Sequence, residues 1–163
     1  MASTLAYLLL GSNLGDRAAR LAQARHDLAA TAGCLVAASD LYQTAAWGLE
    51  DQPAFLNQVL AIETELDAPS LLAACLAAEQ QQGRERQVRW AARTLDVDIL
   101  LFGNAVIHTT TLTVPHPALP ARRFALTPLA EVAPQVVHPQ LHRTIAQLLA
   151  ACPDMLAVAR VAS

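Results

Sequence analysis

The sequence predicts an α+β sandwich, a largely antiparallel sheet covered by helices, and three observations predict it. Apolar runs and helical periods follow one another in the order β-α-β-β-α-β-β, so two helices each bridge strands. The first glycine turn, Gly11-Ser12-Asn13-Leu14-Gly15, does not match the Gly-x-Gly-x-x-Gly turn of a doubly wound dinucleotide fold. No repeat, low-complexity tract or Ser/Gly linker divides the 163 residues, so one domain over 1–163 is expected.

Each element has its own local reason. Leu5 to Leu10 is a short apolar run ending at a glycine turn, the pattern of a buried strand. Leu14, Ala18, Leu21, Ala24 and Leu28 recur at helical spacing from about Asp16 to Ala32, with Asp16 at the positive end and Gly33 as the stop. Residues 34–43 and 55–66 read as strands, with a Gly/Asp/Pro-rich loop between them. Asp67-Ala68-Pro69-Ser70 has the polar cap and early proline of a helix start, and its period continues to Gly83. Residues 84–94 are Arg-rich without an apolar period, and Leu95 to Phe102 is a strand. Gly103-Asn104 has the form of a two-residue hairpin turn. Short helices over about 121–132 and 143–152 finish the chain.

Composition excludes several functions. Eleven basic residues against fourteen acidic ones give a net charge of −3, without the basic excess that sequence-independent nucleic-acid binding needs. All eleven are Arg, so lysine Schiff-base chemistry and a P-loop lysine are excluded. Cys34, Cys75 and Cys152 are widely spaced and form no CxxC, and are expected to be reduced core residues. No apolar run is long enough to span a membrane, and the first residues lack the basic region of a signal peptide. A cytoplasmic protein with no membrane or nucleic-acid partner is expected.

The strongest chemical signal is Leu95-Asp96-Val97-Asp98-Ile99. Side chains alternate along a strand, so Asp96 and Asp98 share one face about 6.6–7 Å apart while Leu95, Val97 and Ile99 face the other way. Two such carboxylates repel unless a cation lies between them, and the spacing suits a pair of Mg²⁺ ions about 3.5–4 Å apart. Arg84, Arg86, Arg89 and Arg93 precede them, and Arg122 and Arg123 follow. Guanidinium groups bind phosphate oxygens bidentately, so this combination points to a metal-bound polyphosphate. His116, held between Pro115 and Pro117, is a candidate phosphate donor. Phe55 and Asn57, two apart, offer one ring and one amide on the same side, a pair suited to a flat heterocycle. His138 and His142 are discounted as zinc ligands because Pro139 interrupts any helix between them, and His26 and His108 read as structural.

Four motifs stand in order: Leu-Gly-Ser-Asn-Leu-Gly-Asp at 10–16, Asp-Gln-Pro-Ala-Phe-Leu-Asn at 51–57, Arg-Thr-Leu-Asp-Val-Asp-Ile-Leu at 93–100 and Leu-Thr-Val-Pro-His-Pro at 112–117, followed by Arg122 and Phe124. In these the chain resembles the 6-hydroxymethyl-7,8-dihydropterin pyrophosphokinases of folate biosynthesis, from about Leu5 to Pro134. The resemblance implies a ferredoxin-like sandwich that transfers the pyrophosphoryl group of ATP to the pterin hydroxymethyl oxygen and releases AMP. It implies two Mg²⁺ on Asp96 and Asp98, with Arg84 and Arg93 as catalytic cations. It places Phe55 and Phe124 on the two faces of the pterin, with Thr44, Trp47 and Asn57 at its edge. Glu79, Arg86, Trp90, Ile99, Thr113, His116 and Arg122 would surround ATP. The chain departs from the family pattern at Ala91-Ala92, where Gly-Pro is usual, at Ala45, often Pro, and at Thr111, basic in some members. A monomer acting on small molecules is expected. The competing readings are a non-catalytic binding domain on the same fold, and the same chemistry on a related bicyclic alcohol.

Overall fold

A computed structural model of the chain describes residues 2–44, 54–82 and 95–161. In chain order the elements are β1 (Thr4–Ser12), α1 (Arg17–Thr31), β2 (Cys34–Ala38), β3 (Leu41–Thr44), β4 (Phe55–Thr64), α2 (Ala68–Gln81), β5 (Asp96–Phe102), β6 (Ile107–His108), β7 (Thr113–Val114), a 3-10 turn (Leu119–Ala121), α3 (Arg123–Val132), α4 (Ile145–Ala150) and β8 (Val158–Val161). Among the described residues one mixed-in-sequence but antiparallel sheet runs β5-β1-β4-β3-β8, with β2 pairing beside β3 on the same β4. β6 and β7 form a separate small hairpin.

The predicted caps are used. Asp16 accepts the Ala19 N–H at 3.1 Å and Asp67 the Ser70 N–H at 2.9 Å, each satisfying a donor that the first helical turn leaves unpaired. Gly33 ends α1 at φ 156°, where a Cβ would run into the Glu63 carbonyl, so only glycine passes β4 this closely.

Helices cover both faces of the sheet. On one, Leu21 and Leu28 of α1 and Leu71 and Cys75 of α2 pack on Leu8, Leu10, Leu60, Ile62, Val97 and Ile99. On the other, Leu126 and Leu129 of α3 and Ile145 and Leu148 of α4 pack on Tyr7, Leu9, Val59 and Leu101. β1 is therefore buried from Ala6 to Ser12, which is why its sequence is a continuous apolar run and not an alternating one.

Several expectations are corrected. The single strand over 34–43 is two, β2 and β3, because Ser39 breaks the ladder: its N–H still reaches the Val59 carbonyl, but its Oγ accepts the Val59 N–H and donates to the Asp40 carbonyl. Gly103-Asn104 does make a tight turn, the Ala105 N–H reaching the Phe102 carbonyl at 3.0 Å, yet the chain leaving it pairs in the β6–β7 hairpin and not back onto β5. The last strand, β8, shows no alternation in its sequence, and the chain ends in a strand where the sequence predicts only helices. Cys34 is exposed on β2, whereas Cys75 and Cys152 are core residues. Burial, with Glu79 and Asp98 nearby, pushes the Cys75 thiol up to about 12, so it stays protonated and inert. His138 is buried and its Nδ1 accepts the N–H groups of Gln140 and Leu141, a turn-stabilising role.

β8 is held by a polar clasp. Arg160 bridges Asp40 and Glu131, each at 3.0 Å, and its guanidinium lies 5.7 Å from the Tyr42 ring centroid, while the Tyr42 hydroxyl donates to Glu131 at 2.5 Å. Burial alone would raise the Glu131 carboxyl, but the Tyr42 hydroxyl, Arg160 and the Asp40 N–H together hold it below its ordinary 4.5. A group with a depressed folded pKa stabilises above its unfolded value and loses that contribution as pH falls through the folded one. Glu131→Gln should therefore lower the thermal midpoint by a few degrees at neutral pH, with the gap to the native chain closing below about pH 4.5; melting curves from pH 7 to 3 measure this, and a gap independent of pH would contradict it.

Candidate functional site

The site is organised by strand register. Gly11 of β1 lies directly opposite Asp96 of β5 on one side and Asn57 of β4 on the other, and Asn57 in turn faces Tyr42 of β3. Directly opposed residues in an antiparallel pair point to the same face, so this row carries a carboxylate, an empty position and an amide side by side. A Cβ at Gly11 would lie 2.6 Å from Asn57 Nδ2 and 3.9 Å from Phe55 Cδ1. The missing side chain opens the floor of a cleft of about 640 Å³.

The walls come from four parts of the fold. Thr44, Phe55 and Asn57 line the cleft from β3 and β4, and Leu9, Gly11, Asp96 and Asp98 from β1 and β5. Ala118 and Ala121 around the 3-10 turn, with Arg122 and Phe124 at the start of α3, form the opposite wall, and Pro153, Asp154 and Leu156 close one end. The Arg122 guanidinium lies 5.6 Å from the Phe124 ring centroid, within cation–π range.

Polar groups at the floor are only partly satisfied. Asn57 Nδ2 donates to the Leu10 carbonyl at 3.2 Å, which orients the amide, but its Oδ1 is buried without a hydrogen-bond partner among the described residues, and so is Thr44 Oγ1. Leaving such a buried group unpaired costs about 1–3 kcal/mol, so an acceptor and a hydroxyl here are poised for a ligand with complementary donors.

Asp96 and Asp98 are half-buried on the cleft side while Leu95, Val97 and Ile99 are buried on the other, as the alternation predicted. Among the described residues no cluster of three or more His, Cys, Asp and Glu side chains could hold a metal. A cation held by these two carboxylates alone must complete its shell with water or substrate oxygens, the habit of Mg²⁺ and not of a structural zinc.

The sequence-derived residues are thus brought together in part. Thr44, Phe55, Asn57, Asp96, Asp98, Arg122 and Phe124 meet in the cleft. Ile99 is in the core, and Glu79 is buried in α2, where it accepts the Val97 N–H at 2.8 Å. Thr113 sits half-buried on β7. His116 is half-buried, its N–H donating to the Leu100 carbonyl and its Nδ1 accepting the Ala118 N–H at 3.2 Å. Burial, reinforced by Arg122 and opposed by Asp98, lowers the His116 pKa, so the neutral imidazole carries its proton on Nε2. Trp47, Arg84, Arg86, Arg89, Trp90 and Arg93 lie outside the described residues, as do Ala45 and Ala91-Ala92. Sequence reasoning missed Leu9, Ala118, Ala121 and the Pro153–Leu156 turn. Gly11, read from the sequence as a turn residue, instead lies within β1, where its missing side chain lets Asn57 approach.

Comparison with known proteins places the chain in a family. The family model of 7,8-dihydro-6-hydroxymethylpterin-pyrophosphokinase (HPPK) matches residues 7–134. A Methylorubrum extorquens protein named 2-amino-4-hydroxy-6-hydroxymethyldihydropteridine pyrophosphokinase is 48% identical over 135 residues, 82% of this chain and 85% of the relative. The Pseudomonas aeruginosa protein of the same name is 46% identical over 151 residues, 90% of this chain and 91% of the relative. Among solved structures, a Plasmodium falciparum HPPK-DHPS with pterin and p-hydroxybenzoate superposes with a TM-score of 0.72 at 16% identity, over 91% of this chain. That likeness is one of fold, and this chain spans 43% of the length of that one.

The floor geometry makes a direct prediction. Gly11→Ala should push the Asn57 amide off the Leu10 carbonyl and cost about 1–3 kcal/mol of stability; chemical denaturation of Gly11→Ala, Asn57→Ala and the double variant would show the two effects strongly non-additive, and simple additivity would refute the contact.

Proposed function

The chain belongs to the 7,8-dihydro-6-hydroxymethylpterin-pyrophosphokinase family, and from that premise we propose that the cleft over Gly11 is where it carries out its reaction. That reaction is the ATP-dependent transfer of a pyrophosphoryl group to the dihydropterin in folate biosynthesis. The hydroxymethyl oxygen attacks the β-phosphorus of ATP and releases its proton, the bond from the β-phosphorus to the α,β-bridging oxygen breaks, and AMP leaves with that oxygen.

Asn57 and Thr44 read the pterin edge. Their unpaired oxygens match the N–H groups of the pterin, and this is the observation that carries the assignment. Phe55 from the sheet and Phe124 from α3 supply rings for its two faces, worth about 0.5–1.5 kcal/mol each beyond area burial. Asp96 and Asp98 would hold two Mg²⁺ ions beside it. Bound there, the cations would neutralise the triphosphate oxygens and align them for in-line displacement. Arg122 faces the cleft beside them, and the arginines Arg84, Arg86 and Arg93, with Trp47 and Trp90, are assigned from the sequence motifs to the pterin and ATP. Thr113 and His116 are assigned to ATP from the same motifs, as are Glu79 and Ile99, which reach the site from behind: Ile99 packs in the α1/α2 core and Glu79 accepts the Val97 N–H between Asp96 and Asp98. The neutral His116 presents Nε2–H as a donor, suited to a phosphate oxygen without adding charge.

Catalysis in this arrangement is positioning plus charge neutralisation. The sheet order, with the outer strands of two β-α-β units flanking β1 and β4, supports a ferredoxin-like frame carrying extra helices on its second face. A single-domain monomer working in the cytoplasm completes the proposal.

AMP release from ATP and Mg²⁺, with and without 6-hydroxymethyl-7,8-dihydropterin, tests it. Asp96→Asn and Asp98→Asn should each lower the pterin-dependent rate by about 10²-fold or more. Asn57→Ala should raise the pterin KM about 5- to 150-fold, the equivalent of 1–3 kcal/mol, with the ATP KM little changed. Pterin binding without AMP release would make the chain a binding domain instead.

A further inference from the structure

We propose that Asp154 is a positioning residue for the pterin site: with Arg123 it latches the Pro153–Leu156 turn onto the start of α3 and so sets the two cleft walls against each other. The proposal rests on the assignment of the cleft to the pterin. It concerns a segment beyond the 7–134 stretch that the family model matches.

The start of α3 needs a partner it does not have locally. The first N–H groups of a helix have no intrahelical acceptor, and Arg122, at the N-cap, contributes no side-chain bond. The acceptor comes from 31 residues downstream: Asp154 Oδ2 takes the Arg123 N–H at 3.1 Å. A carboxylate at this end of a helix also meets the positive end of its dipole. The other oxygen, Oδ1, takes the Leu156 N–H at 3.0 Å, folding the turn around the same side chain.

Arg123 closes the latch from the opposite direction. Its Nε donates to the Asp154 carbonyl at 2.9 Å and its Nη2 to the Cys152 carbonyl at 3.1 Å, just past the end of α4. Cys152 is buried in the second core, so the turn is tied to a fixed point. The neighbours of Arg123 on either side are Arg122 and Phe124, both on the cleft, and Pro153, Asp154 and Leu156 line the same cleft. Phe124 therefore begins a helix whose start is tied down by bonds that no residue of the four sequence motifs makes.

The test compares Asp154→Ala, Asp154→Asn, Arg123→Ala and the Asp154→Ala/Arg123→Ala double variant at a temperature where all are folded. Asp154→Ala and Arg123→Ala should each raise the pterin KM and Kd about tenfold with a smaller change in kcat, as expected when a wall shifts without losing a reacting group. Asp154→Asn keeps one acceptor and should fall between. The double variant should be no worse than the worse single one, because both act through one latch. Lowered melting points with an unchanged pterin KM, or fully additive losses, would overturn the proposal. Amide exchange at Phe124–Leu126 reads the latch without substrate and should accelerate in Asp154→Ala; unchanged exchange also overturns it. A native chain that forms no pterin-dependent AMP would instead strike at the functional assignment, while the exchange result still decides the latch.

Discussion

One missing side chain governs the site. β1 is packed on both faces and paired on both edges, so each of its positions is committed to a neighbour, and Gly11 is the position where that commitment is left open. Because Asp96 and Asn57 stand directly opposite it, the gap lies between a carboxylate and an amide, and the strand pairing keeps them a fixed two strands apart. Asn57 is then doubly determined. The Leu10 carbonyl orients its Nδ2 and the absence of a Cβ at Gly11 gives it room, while Oδ1 is buried with no competing partner among the described residues.

The two helical layers divide the work. α1 and α2 cover one face, with Leu8, Leu10, Leu21, Leu28, Leu60, Ile62 and Leu71 fully buried beneath them. On the other face α3 and α4 cover only part of the sheet, and the uncovered end is the cleft. A bulge in β5 between its pairings with Tyr7 and Leu8 turns both Leu100 and Leu101 toward α3. The apolar part of β5 thereby anchors the second layer while its acidic start stays beside the cleft.

What the sequence made legible followed short-range rules. Period two put Asp96 with Asp98 and Phe55 with Asn57, and capping chemistry located both long helices to within a residue or two at their starts. The illegible parts depend on contacts between residues far apart in the chain. Ser39 breaks a strand by bonding to Val59, twenty residues away, and β8 pairs with β3 far along the chain, with Arg160 bonded to Asp40 and Glu131. The end wall of the cleft is of the same kind: Asp154 and Arg123 have no shared period and no motif, and nothing in Cys152-Pro153-Asp154 marks it as adjoining Phe124.

Glu79 shows how a residue assigned to the substrate can serve the site from behind. Among the described residues β5 pairs with β1 on one side only, so alternate N–H groups along its other edge have no strand of them to bond. The Val97 N–H is one of them, and the buried Glu79 carboxylate accepts it at 2.8 Å. Val97 is the residue between Asp96 and Asp98, so a bond at this point fixes the backbone from which both carboxylates project. The same carboxylate occupies an edge position that could otherwise recruit another strand. The α2 face of the protein is in this sense part of the acidic pair on the opposite face, joined to it through a single backbone amide.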